Sequence, residues 1–142
     1  MNVNNTYIRQ RNREISKLRL KIINLCKELN IQIKKLIDRE IHIRGTVYKI
    51  AGKCGKKSCK CYKTDYSHEV WRLAKSVSGK MTARVISKGD LNKVRTLTEN
   101  YRRYVMTKNK VLEIEKEINS KILELAIAKS VEYYGKGKFK AK

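Results

Sequence analysis

The sequence predicts an α+β protein. Two long amphipathic helices, forming an antiparallel helical pair or a coiled coil, flank a small three-stranded antiparallel sheet that carries a Cys/His metal knob. Three observations carry that expectation. Apolar residues recur every seven positions near both ends of the chain. The middle of the chain loses that period and alternates instead. Three of the four cysteines then fall within eight residues of that middle stretch, with a histidine close behind.

The first helix is expected over residues 7–44. Ile8, Ile15, Ile22, Leu29, Leu36 and Ile43 form one row, and Leu18 and Leu25 fill the complementary row, which Arg11, Gln32 and Arg39 interrupt. Asn5 or Thr6 suits the start and Gly45 the stop. A helix of about 35 residues is roughly 50 Å long, and propensity alone does not hold such a rod in water, so the stripe needs a partner.

An insert follows over 45–88. Thr46–Ile50, Val70–Val77 and Met81–Ile86 read as strands, with a turn at Ser78-Gly79-Lys80. With a single Trp, Trp71, as the expected centre of its core, a sheet this small needs a staple. The second helix is expected over 89–134, opening at Ser87 or Asp90. Leu91, Val94, Leu97, Tyr101, Tyr104, Val111, Ile114, Ile118, Ile122 and Leu125 mark its apolar positions, and Glu113, Glu117 and Lys121 stand four apart. Gly135 ends the pattern, leaving 135–142 as a mobile basic tail. The whole, 1–142, reads as a single domain. The two stripes can pair within the chain or between two copies, as a homodimer.

The staple is expected at the cysteines. Lys53-Cys54-Gly55-Lys56-Lys57-Ser58-Cys59-Lys60-Cys61 is followed seven residues later by His68. Cys54, Cys59, Cys61 and His68 match the ligand set of a structural Zn2+ site, and a closed four-donor site leaves no position for a reacting water. Lys53, Lys56, Lys57, Lys60, Lys63 and Lys75 favour thiolate over thiol. The C-x4-C-x-C spacing differs from the paired C-x2-C of common zinc fingers, so a redox pair and unliganded thiols stay open as readings. Cys26 falls in the first helical stripe, where a small buried residue is expected. His42 falls in the last helical turn, where it is expected to cap carbonyls or face solvent, with a place as the alternative fourth ligand to His68 left open.

Charge points to the partner. Lys and Arg number 35 against 13 Asp and Glu, a net charge of +22. The excess is spread: 12 basic against 4 acidic residues over 1–50, 10 against 3 over 51–90, and 13 against 6 over 91–142. A surface so one-signed calls for a polyanion, and nucleic acid, DNA or RNA, is the first expectation. An anionic membrane surface and an acidic protein are the other partners such charge would suit. Phosphate contacts are expected from Lys53, Lys56, Lys57, Lys60 and Lys63, extended by Arg72 and Arg84 if these share a sheet face. Tyr48, Tyr62 and Tyr66 border the cluster, where stacking on bases and structural packing are both open.

No nucleophile constellation and no Gly-rich phosphate loop occurs, and the acidic residues are dispersed, so no enzymatic activity is expected. No run approaches the roughly 18 apolar residues of a membrane span. Met1–Thr6 has no apolar signal core, so a cytoplasmic location is expected.

Cys54-Gly55-Lys56, then Cys59-Lys60-Cys61, His68 and Trp71 resemble an uncharacterised family of small bacterial and archaeal domains with a Cys-Gly-Lys-x2-Cys-x-Cys…His motif. Gly79-Lys80-Met81-Thr82 looks like the family's Gly-Lys turn, and Glu99–Arg103 like a helix that follows it. The resemblance covers roughly residues 44–125; Glu69-Val70 stand where the family has Gly-Pro. It implies a shared metal-site fold and an association with mobile elements, and brings no activity. The reading is a nucleic-acid-binding protein with a structural zinc knob. Its alternative is a coiled-coil assembly module whose knob is purely structural.

Overall fold

The computed structural model describes residues 3–136 and 138–141. The fold is α+β, with two long helices and a three-stranded antiparallel sheet. The chain contains two compact units: Met1–Asp38 with Met106–Lys142, and Arg39–Val105. The physical reason is that the helical stripes and the sheet bury separate small cores.

In the first unit, α1 (Val3–Leu36) turns its stripe inward. Leu25 is buried, and Arg11, Ile15, Leu18, Ile22, Leu29, Gln32 and Leu36 are half-buried. Arg11 and Gln32 therefore occupy the stripe, whereas Arg39 lies beyond α1 and is exposed; Arg11 is satisfied within the stripe by the Tyr7 hydroxyl and the Glu14 carboxylate, both at 3.2 Å. The second half of α3 (Leu91–Lys129) supplies the facing stripe: Val111, Ile114 and Ala128 are buried, and Ile118, Lys121 and Leu125 half-buried. Lys21 pairs with Glu117 at 3.0 Å and Glu28 with Lys110 at 3.6 Å. Seven residues up α1 correspond to seven residues down α3, so the two run antiparallel and the stripes meet within one chain. Glu117 thus serves the partner helix, while Lys121 bonds Glu124.

The ends differ from the expected 7–44 and 89–134. α1 stops at Leu36, because the residues after it are claimed elsewhere: the amide of Ile43 donates to the Leu97 carbonyl at 3.0 Å, Asn100 Nδ2 donates to the Ile41 carbonyl at 3.0 Å, and Arg103 pairs with Glu40 at 2.8 Å. α3 stops at Lys129, and β4 (Val131–Tyr133) pairs antiparallel with β5 (Phe139–Ala141). The expected mobile tail over 135–142 is therefore largely a hairpin; its Gly137 and Lys142 lie outside the described residues.

In the second unit β1 (Thr46–Gly52), β2 (His68–Val77) and β3 (Lys80–Val85) form the sheet in the order β1-β2-β3. Ser78 and Gly79, at φ 50° and 77°, make the two-residue turn whose twist matches the strands it joins. Gly45 is not a helix stop: it leads into β1 with φ 148°, and a Cβ there would lie 2.7 Å from the Ala74 carbonyl oxygen.

Register assigns the faces. Tyr48, Arg72 and Val85 stand in one cross-strand row, and Val47, Leu73 and Arg84 in the next, on the opposite face. The Leu73 face meets the first half of α3, where Ile43, Leu73, Ile86, Val94 and Leu97 line a shallow pocket. On that face the Arg95 guanidinium sits 4.1 Å from the centre of the Trp71 ring. On the other face Val85 is 65 % exposed, as is Met81 at 72 %. Asp90 precedes α3: its carbonyl accepts from Val94 at 2.9 Å, and its carboxylate takes the Ser87 hydroxyl at 2.7 Å. Among the described residues no helix is long and apolar enough to cross a membrane.

Candidate metal centre

Four donors come from a short stretch between β1 and β2. Cys54 stands in the loop after β1, Cys59 caps the short helix α2 (Lys60–Lys63), Cys61 lies within α2, and His68 opens β2. The loop is folded by its own backbone: the Cys59 amide donates to the Lys56 carbonyl and the Tyr62 amide to the Cys59 carbonyl, both at 3.0 Å. Gly55, at φ 79°, takes the left-handed turn that returns the chain toward Cys54, a conformation costly for any residue with a Cβ. Pairing of Gly52 with His68 then sets the histidine beside the end of β1.

The four ligand atoms all lie within 4.8 Å of one another. Cys54 Sγ and Cys61 Sγ are 3.5 Å apart, and Cys59 Sγ is 3.1 Å from His68 Nε2. A tetrahedron with metal–sulfur bonds of about 2.3 Å has edges of about 3.8 Å, so these spacings are those of donors able to share one ion. Cys61 is fully buried, Cys59 and His68 half-buried, and Cys54 exposed. The Cys54 amide also donates to Cys61 Sγ at 3.4 Å. The two thiols respond oppositely. Cys54 is held below the ordinary thiol range by the Lys56 backbone amide and by the Cys61 thiol. For Cys61 the Cys54 amide favours thiolate, but burial and the adjoining Cys54 and Cys59 thiols outweigh it and push it up. A dication reverses that logic, since it favours every thiolate at once.

His42 is elsewhere: its ring lies 5.2 Å from that of Tyr101 and 5.0 Å from that of Tyr104, so His68 completes the cluster. Cys26 is exposed rather than buried, because it falls to the side of the stripe that Ile22, Leu25 and Leu29 form. Trp71 is half-buried and shared between the sheet and Arg95.

Lys53, Lys56, Lys57, Lys60 and Lys63 are all exposed around the cluster. Arg72 and Arg84 do not extend that patch together, because Arg72 pairs with Val85 and Arg84 with Leu73, one residue out of phase and so on opposite faces. Two contacts escaped the sequence reading. Tyr66 packs its ring edge-on to His68, centres 5.1 Å apart, with Lys60 Nζ 5.7 Å from the Tyr66 ring. Arg95 covers Trp71 from a helix 24 positions away in sequence. The first had a signal, an aromatic two residues before the histidine; the second had none.

The profile of a family described as a domain of unknown function, DUF6788, matches residues 22–96. This span includes all four donors and the whole sheet. No curated protein and no solved structure matches the chain.

Proposed function

The chain belongs to the DUF6788 family, a domain of unknown function, and on that premise we propose that it is a non-enzymatic nucleic-acid-binding protein whose Cys54, Cys59, Cys61 and His68 hold a structural Zn2+. The observation that carries the reading is the placement of five exposed lysines, Lys53, Lys56, Lys57, Lys60 and Lys63, on a loop built around four gathered metal donors. Three soft thiolates and one imidazole suit Zn2+ better than a hard cation. Bound there, the ion supplies a closed tetrahedral link and no open coordination position.

The residues of the chain do the rest. Ordering the loop removes the entropy that free lysines would lose on binding, so their charges meet phosphate oxygens at reduced cost. Three thiolates and one dication leave the cluster at one negative charge, which the surrounding lysines more than offset. Arg72 adds a guanidinium on the sheet face that also bears His68. Such contacts fix affinity and position and read little sequence.

A salt titration tests the reading. Neutralising about six phosphates of a duplex gives a log–log slope of about −5. A slope near zero on both DNA and RNA contradicts it.

One observation favours a second reading, an assembly module. Leu20, Ile23 and Ile31 of α1 and Leu112, Leu123 and Ile127 of α3 are each about half exposed or more, away from the stripes that meet within the chain. Sedimentation without nucleic acid separates the two: self-association through these side chains supports assembly, and a monomer that binds polyanions supports the first reading.

A further inference from the structure

We infer that the knob, with the partly exposed sheet face beside it, forms a base-stacking platform, so that the preferred ligand is single-stranded nucleic acid rather than duplex. The inference rests on the nucleic-acid reading above and deepens it.

The aromatic side chains carry the argument. Tyr62 is 55 % exposed and Tyr66 51 % exposed, both within the lysine-rich loop. Large rings left in water are costly unless something covers them, and here each is interleaved with cations: Tyr62 lies between Lys60 and Lys63 in the chain, and Lys60 approaches the Tyr66 ring. Tyr66 and His68 meet in a T-shaped contact, ring centres 5.1 Å apart, which fixes the Tyr66 ring.

The platform continues onto the sheet. His68, Val70 and Arg72 share one face of β2, spaced by about 6.7 Å per two-residue step. Tyr48 stands opposite Arg72 and Ile50 opposite Val70 on that same face. Val85, the other neighbour of Arg72, is 65 % exposed, while Arg72 is half-buried and its Nε is covered by the protein. The track thus runs from the exposed rings of Tyr62 and Tyr66 amid lysines onto a half-buried strip of sheet that ends at the exposed Val85. A duplex offers phosphates to the lysines but keeps its bases stacked on one another. A single strand offers both the phosphates and the ring faces.

Fluorescence anisotropy on the zinc-loaded full chain tests this, using three labelled probes at one salt concentration: an oligothymidylate of about 15 nucleotides, an abasic strand of equal length, and a duplex of equal length. The wild type should bind the oligothymidylate severalfold more tightly than either of the others. Tyr62→Ala and Tyr66→Ala should each lose about 5- to 150-fold on the oligothymidylate, the double variant more than either, and all should keep their affinity for the abasic strand. Tyr62→Phe/Tyr66→Phe should behave like the wild type. Equal wild-type affinity for the base-bearing and abasic strands overturns the platform while leaving the phosphate reading in place. Absence of binding to all three probes at low salt overturns both.

Discussion

Along α1 and the second half of α3, stability is spread over many side chains. Among the described residues Leu25, Val111, Ile114 and Ala128 are buried there, and fourteen half-buried neighbours share the rest. In the loop between β1 and β2 the same task converges on four donor atoms within 4.8 Å of one another. The loop has almost no apolar interior besides Cys61, so beyond its own few backbone hydrogen bonds it relies on whatever joins those donors. A distributed core fails gradually and a donor cluster fails at once. The two regions of this chain should therefore answer perturbation differently.

The largest effect is expected from Cys61→Ser, which removes the one fully buried ligand. Structural zinc contributes about 10–16 kcal/mol of apparent binding energy in small metal-folded peptides, more than a domain's usual net stability. Hydrogen exchange should show residues 54–68 losing protection, while the helical unit keeps its own. Loss of protection throughout α1 as well would erase the contrast between the regions.

Ile114→Ala comes next. At 3 % exposure its truncation should cost about 2–5 kcal/mol, read as a lower thermal midpoint of the helical unit with metal content unchanged. A loss of bound metal in this variant would show the two units to be one cooperative body. Gly45→Ala should cost about 1–3 kcal/mol, because an added Cβ meets the Ala74 carbonyl at a φ that disfavours any side chain. Chemical denaturation of the sheet, followed by Trp71 fluorescence, reads that loss. Lys21→Ala should be smallest, at most about 1 kcal/mol, since its bond to Glu117 is exposed on both sides. A larger loss there would mean that charge pairing, rather than the apolar stripe, sets the helix register.

Legibility in the sequence followed the same division. From Arg11 to Leu36 the stripe was readable residue by residue, because a heptad repeat encodes both the helix and the face it buries; the ends of the expected row were not, since Ile8 is exposed and Ile43 lies beyond α1. The strands and the Ser78-Gly79 turn were readable from alternation and turn chemistry. The donor set was readable from spacing and ligand type, and Cys54, Cys59, Cys61 and His68 do come together. What escaped depended on contacts between distant segments. The end of α1 at Leu36 is fixed by Asn100, Arg103 and Leu97, some 60 positions later. The separation of Arg72 from Arg84 is a matter of register, since two arginines twelve residues apart across a hairpin share a face or not depending on where its turn falls. The hairpin over 131–141 pairs segments too short to announce themselves.

A single ion shared by four side chains is what would hold the loop together, and X-ray absorption at the zinc edge of the purified full chain tests that most directly. The prediction is one zinc per chain with a shell of three sulfurs at about 2.3 Å and one nitrogen at about 2.0 Å, lost in Cys61→Ser. A metal-free chain whose 54–68 segment nonetheless resists hydrogen exchange, or a zinc bound only through oxygen and nitrogen, would contradict it.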